Sequence, residues 1–308
     1  MRSKTVNILD GKKIAGEIQE KIKDEIGQLK NQTGKTPGLT VIIVGENPAS
    51  QAYVRKKHRI AQKLGINSHI IELKAEIAAQ DLIEQIRVLN QDPGVQAILI
   101  QLPLPENHNT WEILNHLNPK KDVDCFLPVN LGNILLNRAG IFPCTPSGIM
   151  QMLDYYRIDL SGLNAIMVGR SFIVGKPLAS MLTNQNATVT LCHSKTKNLP
   201  GLVKQADLVV AAIGKPGFIT ADMIKKGAIL IDVGQNFLYQ QHEVLEFCIE
   251  SQQQKFKKKG YGIAGDIHIK AYPKASYFTP VPGGVGPMTV AMLMVNTLKL
   301  FKRQYHLE

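Results

Sequence analysis

Cysteine is scarce in this 308-residue chain: there are four, Cys125, Cys144, Cys192 and Cys248. They are scattered, with no C-x-x-C spacing and no histidine pair at zinc spacing. That argues against a disulfide framework or a metal site and points to a reducing compartment. Long apolar runs are lacking as well. Nothing approaches the roughly 18 consecutive apolar residues of a membrane span, and Met1 to Ala15 is charged and mixed, without the apolar core of a secretion signal. The expectation is a cytoplasmic protein with no membrane partner. Dense basic runs are nearly absent: only Lys255 and Lys257–Lys259 cluster, with no aromatic platform among them. Nucleic acid is therefore not the expected partner.

What is present is an ordinary globular composition, 44% hydrophobic and 20% charged, under a net charge of +11. The excess sits at the start. Residues 1–75 hold 14 Lys/Arg against 7 Asp/Glu, and the rest of the chain holds 22 against 18. Such a field suits an anionic small molecule, because it attracts carboxylates and phosphates toward a site.

Strand and helix patterns alternate along the chain. Ile14, Ile18, Ile22, Ile26 and Leu29 recur at helical spacing after Asp10-Gly11. Short β-branched runs follow at Leu39–Val44, His69–Leu73 and Ala97–Leu102, with helices expected over Ala49–Leu64 and Gln80–Asn90. Pro143-Cys144-Thr145-Pro146 marks a boundary before a helix at Ser147–Arg157. Beyond it, strands are expected at Ala165–Val168, Ala187–Leu191, Leu208–Ile213 and Ala228–Val233. Alternation of this kind implies parallel sheets covered by helices, an α/β class with two domains. Gln252–Lys259 reads as an exposed loop or a lysine-rich helix end.

Three local features carry chemistry. In the first, Pro280–Pro287 is six-eighths Gly or Pro and precedes an apolar helix, so its backbone can approach a ligand or simply turn tightly. The second is Gly169-Arg170-Ser171-Phe172-Ile173-Val174-Gly175, which joins a strand to a helix, the arrangement that seats a pyrophosphate on a helix N-terminus. Its spacing is not G-x-G-x-x-G, and a plain β–α connection would look alike. After the next strand comes Cys192-His193-Ser194-Lys195-Thr196, with no acid to accept from a ribose 2′-hydroxyl. With Arg170 nearby, that favours NADP over NAD. The third feature is Tyr53 and Lys57, four apart on an expected helix and so on one side of it. A phenol beside an ammonium is a reactive pair, or a surface coincidence.

These features come in a particular order: Val44–Ser50, Tyr53 and Lys57, Gln101–Pro105, Lys121–Asp124, Pro143–Pro146, Gly169–Pro177, Asp232-Val233-Gly234, Gly265-Asp266 and Thr279–Thr289. The ordered set resembles the bifunctional methylenetetrahydrofolate dehydrogenase/methenyltetrahydrofolate cyclohydrolase family, across nearly the whole chain. The resemblance implies two α/β domains with a cleft between them, the second Rossmann-like and NADP-binding. It assigns folate to residues 1–146 joined by the C-terminal helix 288–308, and the nucleotide to 147–287. It implies an oxidoreductase and hydrolase of one-carbon metabolism feeding purine biosynthesis, acting on folate that can carry a polyglutamate tail, as a homodimer. Lys57 would be essential for methenyl hydrolysis, Tyr53 would pack on the folate rings, Gln101 would tune Lys57, and Asp124 would accept from the pterin. Pro282, Gly283 and Gly284 would form a wall of the folate site. Gly169, Arg170, Ser171, Gly175, His193, Ser194 and Gln235 would hold the cofactor, with no metal. The chain departs from the family at two positions, Cys125 where Gly is common and Gln235 where Ile is common. Cys125 is read as a change of loop or an added thiol, not as a nucleophile.

Overall fold

Runs of β-branched residues too short for helices, set between amphipathic stripes, settle into parallel strands covered on both faces. The computed structural model describes residues 6–138 and 140–307. In chain order the elements are β1 (Asn7–Ile8), α1 (Gly11–Thr33), β2 (Gly38–Val44), α2 (Pro48–Lys63), β3 (Asn67–Leu73), α3 (Ala79–Gln91), β4 (Ala97–Ile100), α4 (Thr110–Leu114), α5 (Pro128–Leu135) and α6 (Cys144–Tyr155). There follow β5 (Asn164–Val168), α7 (Gly175–Asn184), β6 (Thr188–Cys192), α8 (Leu199–Val203), β7 (Leu208–Ala211), β8 (Ile229–Asp232), β9 (Asn236–Leu238), α9 (Gln241–Phe247), α10 (Glu250–Lys259), β10 (Gly262–Ala264), β11 (Tyr277–Phe278) and α11 (Val285–Gln304).

The chain forms two compact units. One takes Gly16–Cys144 with Val290 onward, the other takes the residues up to Ala15 with Thr145–Thr289. The first holds a parallel three-stranded sheet in the order β3-β2-β4. Every residue of β2 is buried, and α3 buries Leu82, Ile83, Ile86 and Leu89 at helical spacing. Each such aliphatic side chain contributes roughly 1.5–3 kcal/mol when fully buried.

The second unit holds a six-stranded sheet in the order β1-β11-β8-β7-β5-β6, with parallel pairing throughout. All four residues of β7 are buried, so both faces of this strand are covered. From β5 the chain goes to one side for β6 and to the other for β7. The strand order reverses there, and in open α/β sheets ligands bind beyond the carboxyl ends of the strands at such a point. The strands β9 and β10, with α9 and α10 between them in the chain, form a separate two-stranded antiparallel sheet.

Some boundaries move from the sequence expectation. The helix α6 starts at Cys144 rather than Ser147, with Pro146 in its first turn, where a missing N–H leaves no bond unmade. In the same way α11 takes Pro287 into its first turn. The lysine-rich patch is helical, and Gly260 at φ 71° ends it.

Candidate active site

Asn47 starts α2 by accepting the Ser50 N–H at 3.0 Å, and Pro48 follows at the first turn. Two turns on, Lys57 is 4% exposed. Its Nζ donates to Gln101 Oε1 at 3.0 Å and lies 4.4 Å from the centroid of the Tyr53 ring. Gln101 directly follows β4. Its Nε2 donates to the Leu102 carbonyl at 2.7 Å, which turns Oε1 toward the lysine. Burial lowers the Lys57 pKa, and the negative charge of Asp124 partly opposes this, as does Cys144. Gln101 and the Tyr53 ring thus contact the Lys57 amine, and Asp124 acts on it through its charge.

Asp122 and Asp124 do different work. Asp122 is 2% exposed and accepts from Phe126 N at 3.1 Å, Leu127 N at 2.9 Å and Asn130 Nδ2 at 2.8 Å. Burial raises its pKa against these bonds. It ties down the loop that presents Asp124, a role sequence reading missed. Between Asp124 and this tether sits Cys125 at φ 58°. Glycine would adopt such a φ at no steric cost. The Cys125 thiol is buried, donates to the Ile141 carbonyl at 3.3 Å and is pushed up by burial, which leaves no thiolate for nucleophilic attack.

In the second unit, Gly169 and Gly175 shape the turn between β5 and α7. A Cβ on Gly169, at φ 125°, would lie 2.3 Å from the Ala212 carbonyl oxygen, and one on Gly175 would lie 2.1 Å from that of Gly169. The turn therefore lies at the point where the strand order reverses. Arg170 and Ser171 are exposed. The Ser171 hydroxyl accepts from Val174 N at 3.2 Å and Gly175 N at 3.3 Å, so it also closes the loop on the start of α7. After β6, His193 Nδ1 accepts from Lys195 N at 3.1 Å, a structural contact, and Ser194 beside it is exposed. No carboxylate stands in this turn. Glycines that admit backbone, an exposed guanidinium and an exposed hydroxyl fit a phosphorylated dinucleotide.

Two buried acids, given no role from sequence, brace the neighbouring loops. Asp266 accepts from Ile213 N at 2.6 Å, Gly214 N at 3.0 Å, Lys215 N at 2.9 Å and Asn236 Nδ2 at 2.9 Å. Asp232 accepts from Gly234 N at 3.0 Å and from Asp266 N and Ile267 N, both at 2.8 Å. Burial nevertheless pushes the Asp232 carboxyl up to about 8. Gln235 is exposed just past Gly234. The signal available in sequence was an acid set against glycine, Asp232-Val233-Gly234 and Gly265-Asp266.

Pro282, Gly283 and Gly284 form a turn with a cis bond before Pro282 and φ 122° at Gly283. The Gly283 carbonyl accepts from Lys12 N at 2.9 Å, and a Cβ on Gly284 would meet Thr279 at 2.6 Å. Packing within the unit accounts for these glycines. Among the described residues no cluster of three His, Cys, Asp or Glu side chains could hold a metal, and no helix is long and apolar enough to cross a membrane.

Two family models match the chain. Residues 9–124 match the tetrahydrofolate dehydrogenase/cyclohydrolase catalytic domain, and residues 143–305 match the NAD(P)-binding domain of the same family. Bifunctional protein FolD of Koribacter versatilis is 46% identical over 297 residues, 96% of each chain. That of Moorella thermoacetica is also 46% identical, over 96% of this chain and 99% of its own. Among solved structures, the bifunctional FolD of Campylobacter jejuni superposes with TM-score 0.87 at 42% identity, covering 97% of this chain and 99% of that one. The methylenetetrahydrofolate dehydrogenase-cyclohydrolase of Trypanosoma brucei, complexed with NADP cofactor and inhibitor, gives TM-score 0.89 at 36% identity, covering 99% of each.

Proposed function

This chain belongs to the tetrahydrofolate dehydrogenase/cyclohydrolase family, and we propose on that premise that it oxidises 5,10-methylenetetrahydrofolate with NADP+ and then hydrolyses the methenyl product to 10-formyltetrahydrofolate. The observation that carries the reading is the buried Lys57 amine, held by Gln101 beside the Tyr53 ring with Asp124 close by.

Lys57 is the general base of the hydrolysis. In its neutral form it takes a proton from the water that attacks the methenyl carbon. The carbinol hydroxyl then gives up its proton as the bond from that carbon to N5 breaks, N5 takes up a proton, and the formyl group stays on N10. Gln101 fixes the direction of the amine. Tyr53 packs on the folate rings, and Asp124 accepts from the pterin N–H groups. Pro282, Gly283 and Gly284 contribute folate-binding backbone.

The oxidation asks for orientation more than for acids or bases. NADP+, when bound, supplies the hydride acceptor. Gly169, Arg170, Ser171, Gly175, His193, Ser194 and Gln235 hold it, with Arg170 on the 2′-phosphate. Folate belongs to residues 1–146 with 288–308 and the nucleotide to 147–287, although β1 is built into the sheet of the latter. The protein is expected to work in the cytoplasm as a homodimer, supplying one-carbon units to purine biosynthesis.

The test is a spectrophotometric assay with methylenetetrahydrofolate, comparing NADP+ with NAD+ and parent with Lys57→Ala. The expected result is reduced cofactor with NADP+ in preference to NAD+, and methenyl hydrolysis lowered by about 10²- to 10⁴-fold in the variant. Absence of reduced cofactor with either nucleotide would refute the dehydrogenase assignment.

A further inference from the structure

Asn296 lies on α11 among apolar neighbours and is 3% exposed. Its Nδ2 donates to the Val123 carbonyl at 2.9 Å and to the Phe142 carbonyl at 2.8 Å, and lies 3.6 Å from Cys144 Sγ. An amide nitrogen has two hydrogens, so the two carbonyls take most of its donating capacity. Those carbonyls bracket the folate-facing acid. Val123 directly precedes Asp124, and Phe142 lies two residues before Cys144, whose thiol donates to the same Val123 carbonyl at 3.7 Å. One side chain from the last helix therefore stitches together the two segments that hold Asp124.

The groups facing Lys57 are the Asp124 carboxylate, the Cys144 thiol, the Tyr53 ring and Gln101 Oε1. Among the described residues no ion pair joins Lys57 to Asp124. Asp124 acts on the amine through its charge without forming an ion pair with it. Elsewhere its loop is fixed at Asp122, by Phe126, Leu127 and Asn130, and at Cys125, by Ile141. Asn296 supplies the fixing on the side nearest Asp124 itself.

We propose that Asn296 is a positioning residue for both folate steps, clamping Val123 and Phe142 so that Asp124 stays clear of Lys57 and open to substrate. The identity of the substrate rests on the proposed function, whereas the effect on Lys57 does not. Buried hydrogen bonds to backbone carbonyls have no replacement when the donor is removed. Without the clamp the Asp124 loop can relax onto the lysine, which favours the ammonium and withdraws the carboxylate from the pterin.

Asn296→Leu keeps the branching at Cγ, at a larger volume, and removes both donors. We expect KM for methylenetetrahydrofolate to rise by about tenfold or more, with KM for NADP+ unchanged. The rising limb of methenyl hydrolysis should also move to higher pH. A variant that loses thermal stability but keeps the ratio of the two KM values and the pH limb would overturn the proposal. Should Asn296→Leu be insoluble, Asn296→Ser, with one short donor, is expected to move both quantities in the same direction by less. Parent values in Asn296→Ser would overturn the proposal as well. If the parent itself turns over no folate, the proposed function fails, and the clamp is judged by NMR on protein carrying ¹³C-labelled lysine. The Lys57 signal, assigned by its loss in Lys57→Arg, should titrate at higher pH in the Asn296 variant than in the parent. Coincident titrations would refute the clamp.

Discussion

A lysine at 4% exposure has given up most of its hydration, and the neutral amine gains from that loss. The Lys57 pKa in the fold lies below its ordinary 10.5, so hydrolysis should climb as pH rises through that lowered value and then level off. For stability the sign follows from proton counts. Between the lowered pKa and 10.5 the unfolded chain binds more protons, so stability rises with pH across that window and is lost as pH falls through the folded value. Gln101→Glu puts a carboxylate where the amide now accepts from Nζ at 3.0 Å. It should stabilise the ammonium, move the hydrolysis limb to higher pH and lower the rate near neutrality by about tenfold or more. A pH–rate profile on purified methenyl substrate reads this directly. Cys125→Gly tests one of the two departures from the family. It relieves a left-handed residue, a gain of about 1 kcal/mol, but it loses a buried side chain and a weak hydrogen bond of similar worth. Urea unfolding should find the variant within about 1 kcal/mol of the parent.

The stretches most legible as elements were those whose residues repeat one instruction. In β2 every position from Leu39 to Val44 is apolar or β-branched, and in α1 the isoleucine stripe marks the buried side. Strands of two residues, β1 and β11, carry no period to read; β1 takes its place in the large sheet from β11, more than 200 residues on, and β11 lies between β1 and β8. The same limit applied at the site. Lys57 and Tyr53 stood out because helical spacing couples them, whereas Asn296 sits in an apolar helix whose pattern gives no hint of a polar task. Asp266 was visible only as part of a motif, and its bonds to three successive amides are a product of tertiary structure. Asp266→Ala should leave Ile213, Gly214 and Lys215 without their acceptor and cost about 3 kcal/mol or more in urea unfolding. Gly175→Ala drives a methyl against the Gly169 carbonyl. We expect KM for NADP+ to rise by about tenfold or more while hydrolysis of supplied methenyl substrate persists, measured in separate assays of the two steps.

At the scale of the molecule the charge of +11 is the largest uncommitted feature. If the basic excess in residues 1–75 steers polyglutamylated folate, added salt should raise KM for long-tailed substrate more than for the monoglutamate. Equal responses would assign those lysines to solvated surface alone. The path of the chain between its two units has a consequence for synthesis. Gly16–Cys144 is made before Thr145–Thr289, yet its unit also needs Val290 onward, which comes after that stretch. On a ribosome, the segment carrying Tyr53, Lys57 and Asp124 must wait, without its final helix, while the whole stretch with the nucleotide loop is translated. Asn296 is made after all of that stretch, so the clamp on Asp124 closes only once the nucleotide loop has already been translated.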